Sequence, residues 1–347
     1  MRFVSPLLKR VVYPALHYSG SLKRCVPSDA CLVVNYHGVI SPDPFCRHPF
    51  FDDNLVSLGA LRKQLRFLKD NYNVIGVGAF RGWLEKGDVL PPRPVLVTCD
   101  DGHVNNLSDM LPVLQSEAVP CLFFVTGESC HEQPAMVWYE ELYHLLEAGG
   151  VRDGDVRAIL EIDSKHFHGS SLQAKWWSCV MNASRFDALL RAKKIGLLRG
   201  LCKFVPSTCP DRWRLMNVQE LQELARSGMS IGAHTMSHPV LAQCSEDEAR
   251  REISGSKTEL ERVLRQAVWA FAYPFGGPAT MGEREVKIAR EAGFECAFVN
   301  VGGGALDPSQ RFALARTAIT ADMSLAVFEA HLSGFHTRLQ AAVRRLA

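Results

Sequence analysis

No run of apolar residues in this 347-residue chain approaches the roughly 20 needed to cross a bilayer as a helix. There is no CxxC pair, although 11 cysteines are scattered along the chain. An odd number of unpaired-looking thiols, several inside apolar runs (Cys31, Cys99, Cys121), excludes a regular disulfide framework and points to reduced, buried thiols in a cytoplasmic setting. Net charge is small as well: a balance of +2 with 22% charged residues carries no global nucleic-acid signature, so DNA and RNA are poor partners. Neither a GxSxG nucleophile elbow nor a GxxxxGK[ST] phosphate loop occurs, which disfavours a serine hydrolase and an NTPase. The GVGAFRG stretch (76–82) has GxGxxxG spacing and no supporting ribose-binding acid, so a dinucleotide site is not expected there. Internal repeats and low-complexity segments are absent.

What the chain does contain is a rhythm of short apolar runs that end in polar or glycine turns. These are CLVVNYHG (31–38), NVIGVGAF (73–80), PVLVTCDDG (94–102), PCLFFVTG (120–127), MSIGAHTMSH (229–238), VWAFAYPFGG (268–277), ECAFVNVGGG (295–304) and RFALARTAIT (311–320). Their length and bounding turns suit buried strands. Helical patterns lie between them: Leu61, Leu65 and Leu68 recur on one face, Leu107 to Ser116 and Glu283 to Ala292 read the same way, and Ser245-Glu-Asp-Glu248 reads as a capping box. Alternation of strand and helix implies a mainly parallel sheet, closed or doubly wound, with its chemistry at the C-terminal strand ends. The segment 137–215 breaks the rhythm and reads as a helical insertion with a basic amphipathic stretch at 185–204.

Two strand ends carry the chemistry. TCDDG places Asp100 and Asp101 side by side after a buried run, and alone it is a solvated turn. His234-Thr-Met-Ser-His238 offers two imidazoles at i, i+4, which one turn of helix would bring to the same side; alone it is a structural pair. Together they suggest a three-ligand divalent metal site, zinc first, built from Asp101, His234 and His238. Asp100 is then available as general base, because a cation keeps both neighbouring carboxylates ionised.

These segments resemble the polysaccharide deacetylases of the NodB-homology group, carbohydrate esterase family 4. TCDDG is similar to the family's TFDDG, HTMSH to its H-[ST]-x-x-H, and FAYPFG to a variant third motif; the likeness spans about 30–130 and 215–335. The resemblance implies a distorted (β/α) barrel of about seven strands with a helical insertion, and a metal-dependent carbohydrate N-deacetylase. It further implies Asp100 as base, the backbone N–H of Tyr273 as an oxyanion donor, and Pro274 fixing that turn at the substrate. Three departures stand out. Cys99 replaces the usual Phe, a core swap or a thiol beside the metal. The motif's Arg is missing, with Phe271 at that position, which leaves Arg316 to orient the base. No Leu-x-His triplet supplies the acid, so His37 is the first candidate for acid or substrate contact, with His103 in the cleft and His331 further down the order.

The organisation expected is a basic N-terminal segment (1–29), a deacetylase barrel (30–335) holding the insertion at 137–215, and a basic helix end (336–347). The apolar stretches of the start are broken by Pro6, Lys9, Arg10 and Pro14, unlike a cleaved signal peptide. Arg2, Lys9, Arg10, Lys23 and Arg24 precede the first acid, Asp29, which leaves a peripheral contact with the inner membrane open beside the cytoplasmic reading. The expected substrate is an N-acetylated glycan of an exopolysaccharide or its precursor; the alternatives are a lipid-linked sugar and a carbohydrate-binding barrel without catalysis.

Overall fold

A computed structural model describes residues 7–40, 49–132, 136–165, 167, 171–202, 213–321 and 323–346. Arg2 and Pro6 of the basic start, and Lys203 and Phe204 of the basic stretch, lie outside the described residues. The strands among them are β1 (Leu32–Tyr36), β2 (Asn73–Val74), β3 (Pro94–Cys99), β4 (Leu122–Val125), β5 (Ser230–Ala233), β6 (Ala270–Ala272), β7 (Cys296–Val299), β8 (Leu314–Ala315) and β9 (Thr317–Ala318). All pairings are parallel, in the order β8-β7-β6-β5-β4-β3-β1-β9, with β2 also on β3.

The last two strands are one stretch of chain interrupted at Arg316. Its first half pairs with β7 and its second half with β1, so the break closes the ring. Counting β8 and β9 as one stave gives a distorted, nearly closed barrel of seven staves, and β2 rides on the N-terminal end of β3.

Each strand alternates its faces, as a pleated strand must. Val34, Tyr36, Val95, Val97, Cys99, Phe123 and Val125 belong to the outer layer, packed under helices such as Leu58–Asn71 through Leu61, Leu65 and Leu68. That helix starts where Ser57 Oγ accepts the Ala60 N–H. Truncating one of these fully buried leucines to Ala would cost about 2–5 kcal/mol. The alternate residues Leu96, Leu122, Phe124, Ala272 and Phe298 fill the barrel together with Phe80 and Leu84.

Phe80 comes from a segment expected to be a strand, and Leu84 follows just beyond it. Only Asn73–Val74 of NVIGVGAF pairs as a strand; from Val77 the chain is a helix (Val77–Lys86). Val77, Phe80 and Leu84 recur at helical spacing, so one helical face packs into the barrel interior. The helix at Ser245 also differs in detail. Ser245 Oγ accepts the Glu248 N–H as a cap should, but Glu248 directs its carboxylate to Arg251 and to the Ala188 N–H.

Between β4 and β5 the chain forms helices Trp138–Glu147, Asp153–Leu160, Leu172–Ala183 and Ala188–Leu201, which bury Leu142, Val156, Leu160, Val180 and Leu198 in a core of their own. Tyr139, Glu140, Trp176 and Trp177 of this layer wall a cavity at the C-terminal strand ends. The described cysteines are all free thiols, and no helix among the described residues is long and apolar enough to cross a membrane.

Candidate active site

The pair Asp100-Asp101 is both a turn and a site. The Asp100 N–H donates to Tyr36 O at 2.9 Å, extending the β1–β3 ladder by one residue, and the side chain points inward by alternation from Thr98. Asp101 (φ 75°) and Gly102 (φ 85°) then take left-handed conformations that end the strand. Asp tolerates that region, whereas Gly is required next: a Cβ at 102 would stand 3.0 Å from Val125 and 3.3 Å from Ser129 Oγ. The two carboxylates therefore diverge into different surroundings.

Asp100 enters the barrel. Arg316 Nη1 and Nη2 donate to its two oxygens at 2.7 Å each, and Asn35 Nδ2 donates to Oδ2 at 2.9 Å. Asn35 Oδ1 in turn accepts from Thr98 Oγ1 and Arg316 Nη1, so the network is closed. The Arg316 guanidinium is wholly buried, 5.2 Å from the Phe124 ring centroid and 5.8 Å from that of Phe298. Burial pushes the Asp100 pKa up, but the charge and hydrogen bonds of Arg316, together with the nearby histidines His234 and His37, outweigh it and hold the carboxyl below its usual range. Arg316 reaches this position from the break between β8 and β9, where its N–H donates to Val299 O.

Asp101 meets the histidines. Its Oδ1 lies 3.5 Å from His234 Nε2 and 3.3 Å from His238 Nε2, and one donor atom of each residue falls within 4.8 Å of the others. Burial raises the Asp101 pKa, yet hydrogen bonds with the two histidines leave it well below the carboxylate range. The imidazoles do not sit on a helical turn. His234 follows β5 directly, and left-handed Thr235 (φ 65°) and His238 (φ 58°) fold HTMSH into a compact loop that turns both rings inward. Thr235 Oγ1 accepts the His238 N–H at 2.9 Å.

Ser237, between the histidines, donates its N–H to Glu252 Oε2 at 2.8 Å and its hydroxyl to the other oxygen. Buried Arg191 of the helical layer reaches both Ser237 and Glu252. Two separate elements thus hold the loop from behind.

The donor set fits a divalent metal on tautomer grounds. His234 Nδ1 lies 2.7 Å from Ala272 O, a group that only accepts, so Nδ1 carries the proton of the neutral ring and Nε2, on the Asp101 side, is the nitrogen left for a metal; without a metal the protonated ring donates from Nε2 to Asp101. His234 is drawn up in pKa, since Asp100 and Asp101 outweigh the downward push of burial; His238 is pushed down by burial.

The other sequence candidates fall in different places. His37 lines the cavity of about 720 Å³ beside Asp100 and Asp101, and its Nδ1 has no hydrogen-bond partner among the described residues. His103 is also on the wall, with Nε2 3.2 Å from Glu140 Oε1 and Nδ1 4.0 Å from Asp101 Oδ2. His331, in helix Leu325–Leu332, lines the cavity too, stacked on His336 with ring centroids 3.9 Å apart.

Two expectations need correction. The Tyr273 N–H donates to Phe298 O at 3.1 Å in the β6–β7 ladder, and the Tyr273 hydroxyl donates to Phe312 O in the outer layer. That N–H is therefore not available to an oxyanion. Pro274 is buried in the turn and does not line the cavity; Phe275 does, in a left-handed conformation (φ 60°) with its ring 4.8 Å from His238. The Phe275 N–H makes no hydrogen bond among the described residues. Of the two readings of Cys99, the core swap holds: it faces the outer layer, wholly buried, and burial raises its pKa far above normal.

Sequence reasoning missed Asn35, Glu140 and Phe275, together with His336 and Asn300 on the cavity wall, the latter accepting from Asn35 Nδ2 at 3.3 Å. Only Asn35 left a signal, as a lone amide inside the apolar run LVVNY.

A parallel barrel thus carries a buried carboxylate-arginine pair next to an Asp-His-His cluster at its C-terminal strand ends. The family whose model matches the chain is polysaccharide deacetylase, over residues 207–297, the same family that the motifs resemble. YxkH of Bacillus subtilis (strain 168), named for that family, is 25% identical over 114 residues, 33% of this chain and 40% of the relative. The chain therefore matches well under half the length of that curated relative. Among solved structures, the Streptococcus pyogenes deacetylase PplD in complex with acetate has a TM-score of 0.55 at 17% identity, covering 88% of this chain and 99% of that one. The de-N-acetylase from Aggregatibacter actinomycetemcomitans has a TM-score of 0.56 at 14% identity, covering 87% and 99%. At these identities the structures show a shared fold.

Proposed function

We propose that the chain is a metal-dependent hydrolase that removes N-acetyl groups from amino sugars of a polysaccharide or its precursor. The observation that carries this reading is the convergence of Asp101, His234 and His238 beside a second carboxylate, Asp100, locked by Arg316. A divalent ion, for which zinc suits the donor set, would be held by Asp101, His234 and His238 and would supply Lewis acidity toward water and the acetamide carbonyl.

The chain's own groups do the rest. Asp100, ionised across the neutral range, accepts the proton of the attacking water at one carboxylate oxygen. Arg316 and Asn35 hold that carboxylate in one orientation. Water oxygen bonds to the carbonyl carbon, and the Phe275 N–H donates to the oxyanion that develops; it replaces Tyr273 in that role. The C–N bond then breaks, His37 gives a proton to the leaving amine, and acetate and a free amino sugar remain. Tyr139, Trp177 and Phe275 offer apolar faces on which sugar rings stack, and His103 with Glu140 offers polar contacts at the same wall. A binding barrel without catalysis would have no use for a buried Asp100 with its charge partner in place.

The test joins metal content to acetate release from N-acetylated oligosaccharides. Asp100→Asn is expected to keep the metal and lose turnover by at least a thousandfold, whereas His234→Ala loses the metal. Full turnover in Asp100→Asn, or full metal content in His234→Ala, refutes the corresponding role.

A further inference from the structure

The helical run at the start of the described chain, Leu8–Val12 continuing into Tyr13–Tyr18, is apolar on both sides. Its inner side is tied down: the wholly buried Tyr13 pairs its hydroxyl with His336 Nδ1 at 2.8 Å, and His17 Nδ1 pairs with Glu329 at 2.6 Å. Its outer side shows Leu7, Val11 and Tyr18 at 62%, 55% and 86% exposure, with Ala15 and Arg10 exposed among them. Positions 7, 11, 15 and 18 recur at helical spacing, so this is one stripe. Because the inner bonds anchor the helix, the stripe cannot be turned into the core.

Charge on this element has one sign. Lys9, Arg10, Lys23 and Arg24 stand in the described part, and no acid occurs before Asp29. Helix Ala188–Leu201 also exposes leucines, but none of its residues lines the cavity. The first helix does reach it: Lys9 lines the cavity wall, as does His336, the partner of Tyr13.

We propose that the Leu7-Val11-Tyr18 face docks on an anionic lipid bilayer and sets the cavity mouth against the membrane surface. An apolar stripe flanked only by cations is the composition that lies in a bilayer interface, with cations meeting anionic headgroups and apolar groups entering the acyl boundary. Resting on the deacetylase reading, this selects for N-acetyl sugars displayed at a lipid surface.

Sedimentation of the metal-loaded protein with vesicles tests the face. The unaltered chain is expected to sediment with vesicles of phosphatidylglycerol and phosphatidylcholine in equal parts and not with phosphatidylcholine alone. Binding should weaken severalfold when salt rises from about 0.1 M to about 0.5 M, because exposed charges are then screened. Val11→Asp with Tyr18→Asp should weaken vesicle binding at least tenfold and leave acetate release from a soluble N-acetyl oligosaccharide unchanged. Arg10→Glu, a charge reversal at an exposed position, should weaken it by a smaller factor and covers the case in which the double variant fails to fold. Absence of sedimentation of the unaltered chain, or equal sedimentation of the variants, overturns the proposal. So does a soluble dimer that the double variant splits, which would give the face to a second copy. Vesicle binding without acetate release on any substrate would leave the docking face standing and count against the hydrolase.

Discussion

Replacing Arg316 by methionine probes the base most directly. The guanidinium makes two 2.7 Å bonds to Asp100, and both side chains are shut off from solvent. Removing one partner of a buried ion pair costs about 3–5 kcal/mol, because the other charge is left uncompensated. Asp100 can relieve that cost by binding a proton. At about 1.36 kcal/mol per pKa unit, the loss corresponds to a rise of about 2–4 units. The carboxyl starts below its ordinary range and Asn35 still donates to Oδ2, so the variant's Asp100 should titrate well above the Asp100 of the unaltered chain. In the unaltered chain the base is ionised throughout the neutral range and gives no acid limb there. In Arg316→Met the base disappears as pH falls through the new pKa and returns as pH rises. The assay is kcat/KM for acetate release between about pH 5 and 9. The expected result is a new acid limb with partial recovery at alkaline pH. Arg316→Lys keeps the charge but loses the two-pronged grip, so it should be slower by about tenfold with no new limb. A pH profile for Arg316→Met that is only scaled down, without a new limb, refutes the electrostatic argument.

Further outcomes follow from neighbouring groups. Glu252→Leu removes the acceptor behind Ser237 and leaves Arg191 buried without its partner; metal affinity by competition with a chelator should fall about tenfold or more. Unchanged affinity would mean that the loop holds its shape without Glu252. In the metal-free protein, Asp100 and Asp101 have lowered pKa values, so their stabilisation is complete above about pH 3.9 and is lost as pH falls through their folded values. His234 is raised, so its stabilisation is complete below about pH 6.5 and is lost as pH rises through its folded value. Urea midpoints should therefore decline on the alkaline side, and His234→Gln should flatten that decline; an equal decline in the variant removes His234 as the cause. Iodoacetamide should modify exposed Cys25 and spare wholly buried Cys99, so acetate release should survive treatment. Inactivation by modification at Cys99 would show that the thiol reaches the site after all.

What could be read from the sequence follows from the range of the interactions involved. Strand ends are local: an apolar run that stops at a polar pair places that pair at a sheet edge, and parallel strands bring their ends to one face. That Asp101, His234 and His238 meet was legible for this reason, although the histidines lie 133 or more positions along the chain from the aspartate. How the histidines meet was not legible, because i, i+4 spacing describes a helix and the left-handed residues Thr235 and His238 have side chains that give no warning of a loop. The Tyr273 assignment failed on parity. One residue after β6 the ladder still claims the backbone N–H, and the turn that frees a donor begins only beyond Pro274.

Arg316 shows the limit most clearly. A seven-stave barrel must close its last strand against its first, yet RFALARTAIT carries no mark of where it will change partners. The change occurs at the one residue whose backbone N–H still bonds β7 while the chain beyond it bonds β1. At that seam a long side chain can cross the barrel interior to Asp100, with Phe124 and Phe298 excluding water along the way. The charge that steadies Asp100 therefore comes from ring closure itself, and an arginine one residue earlier or later would, by strand alternation, face the outer layer.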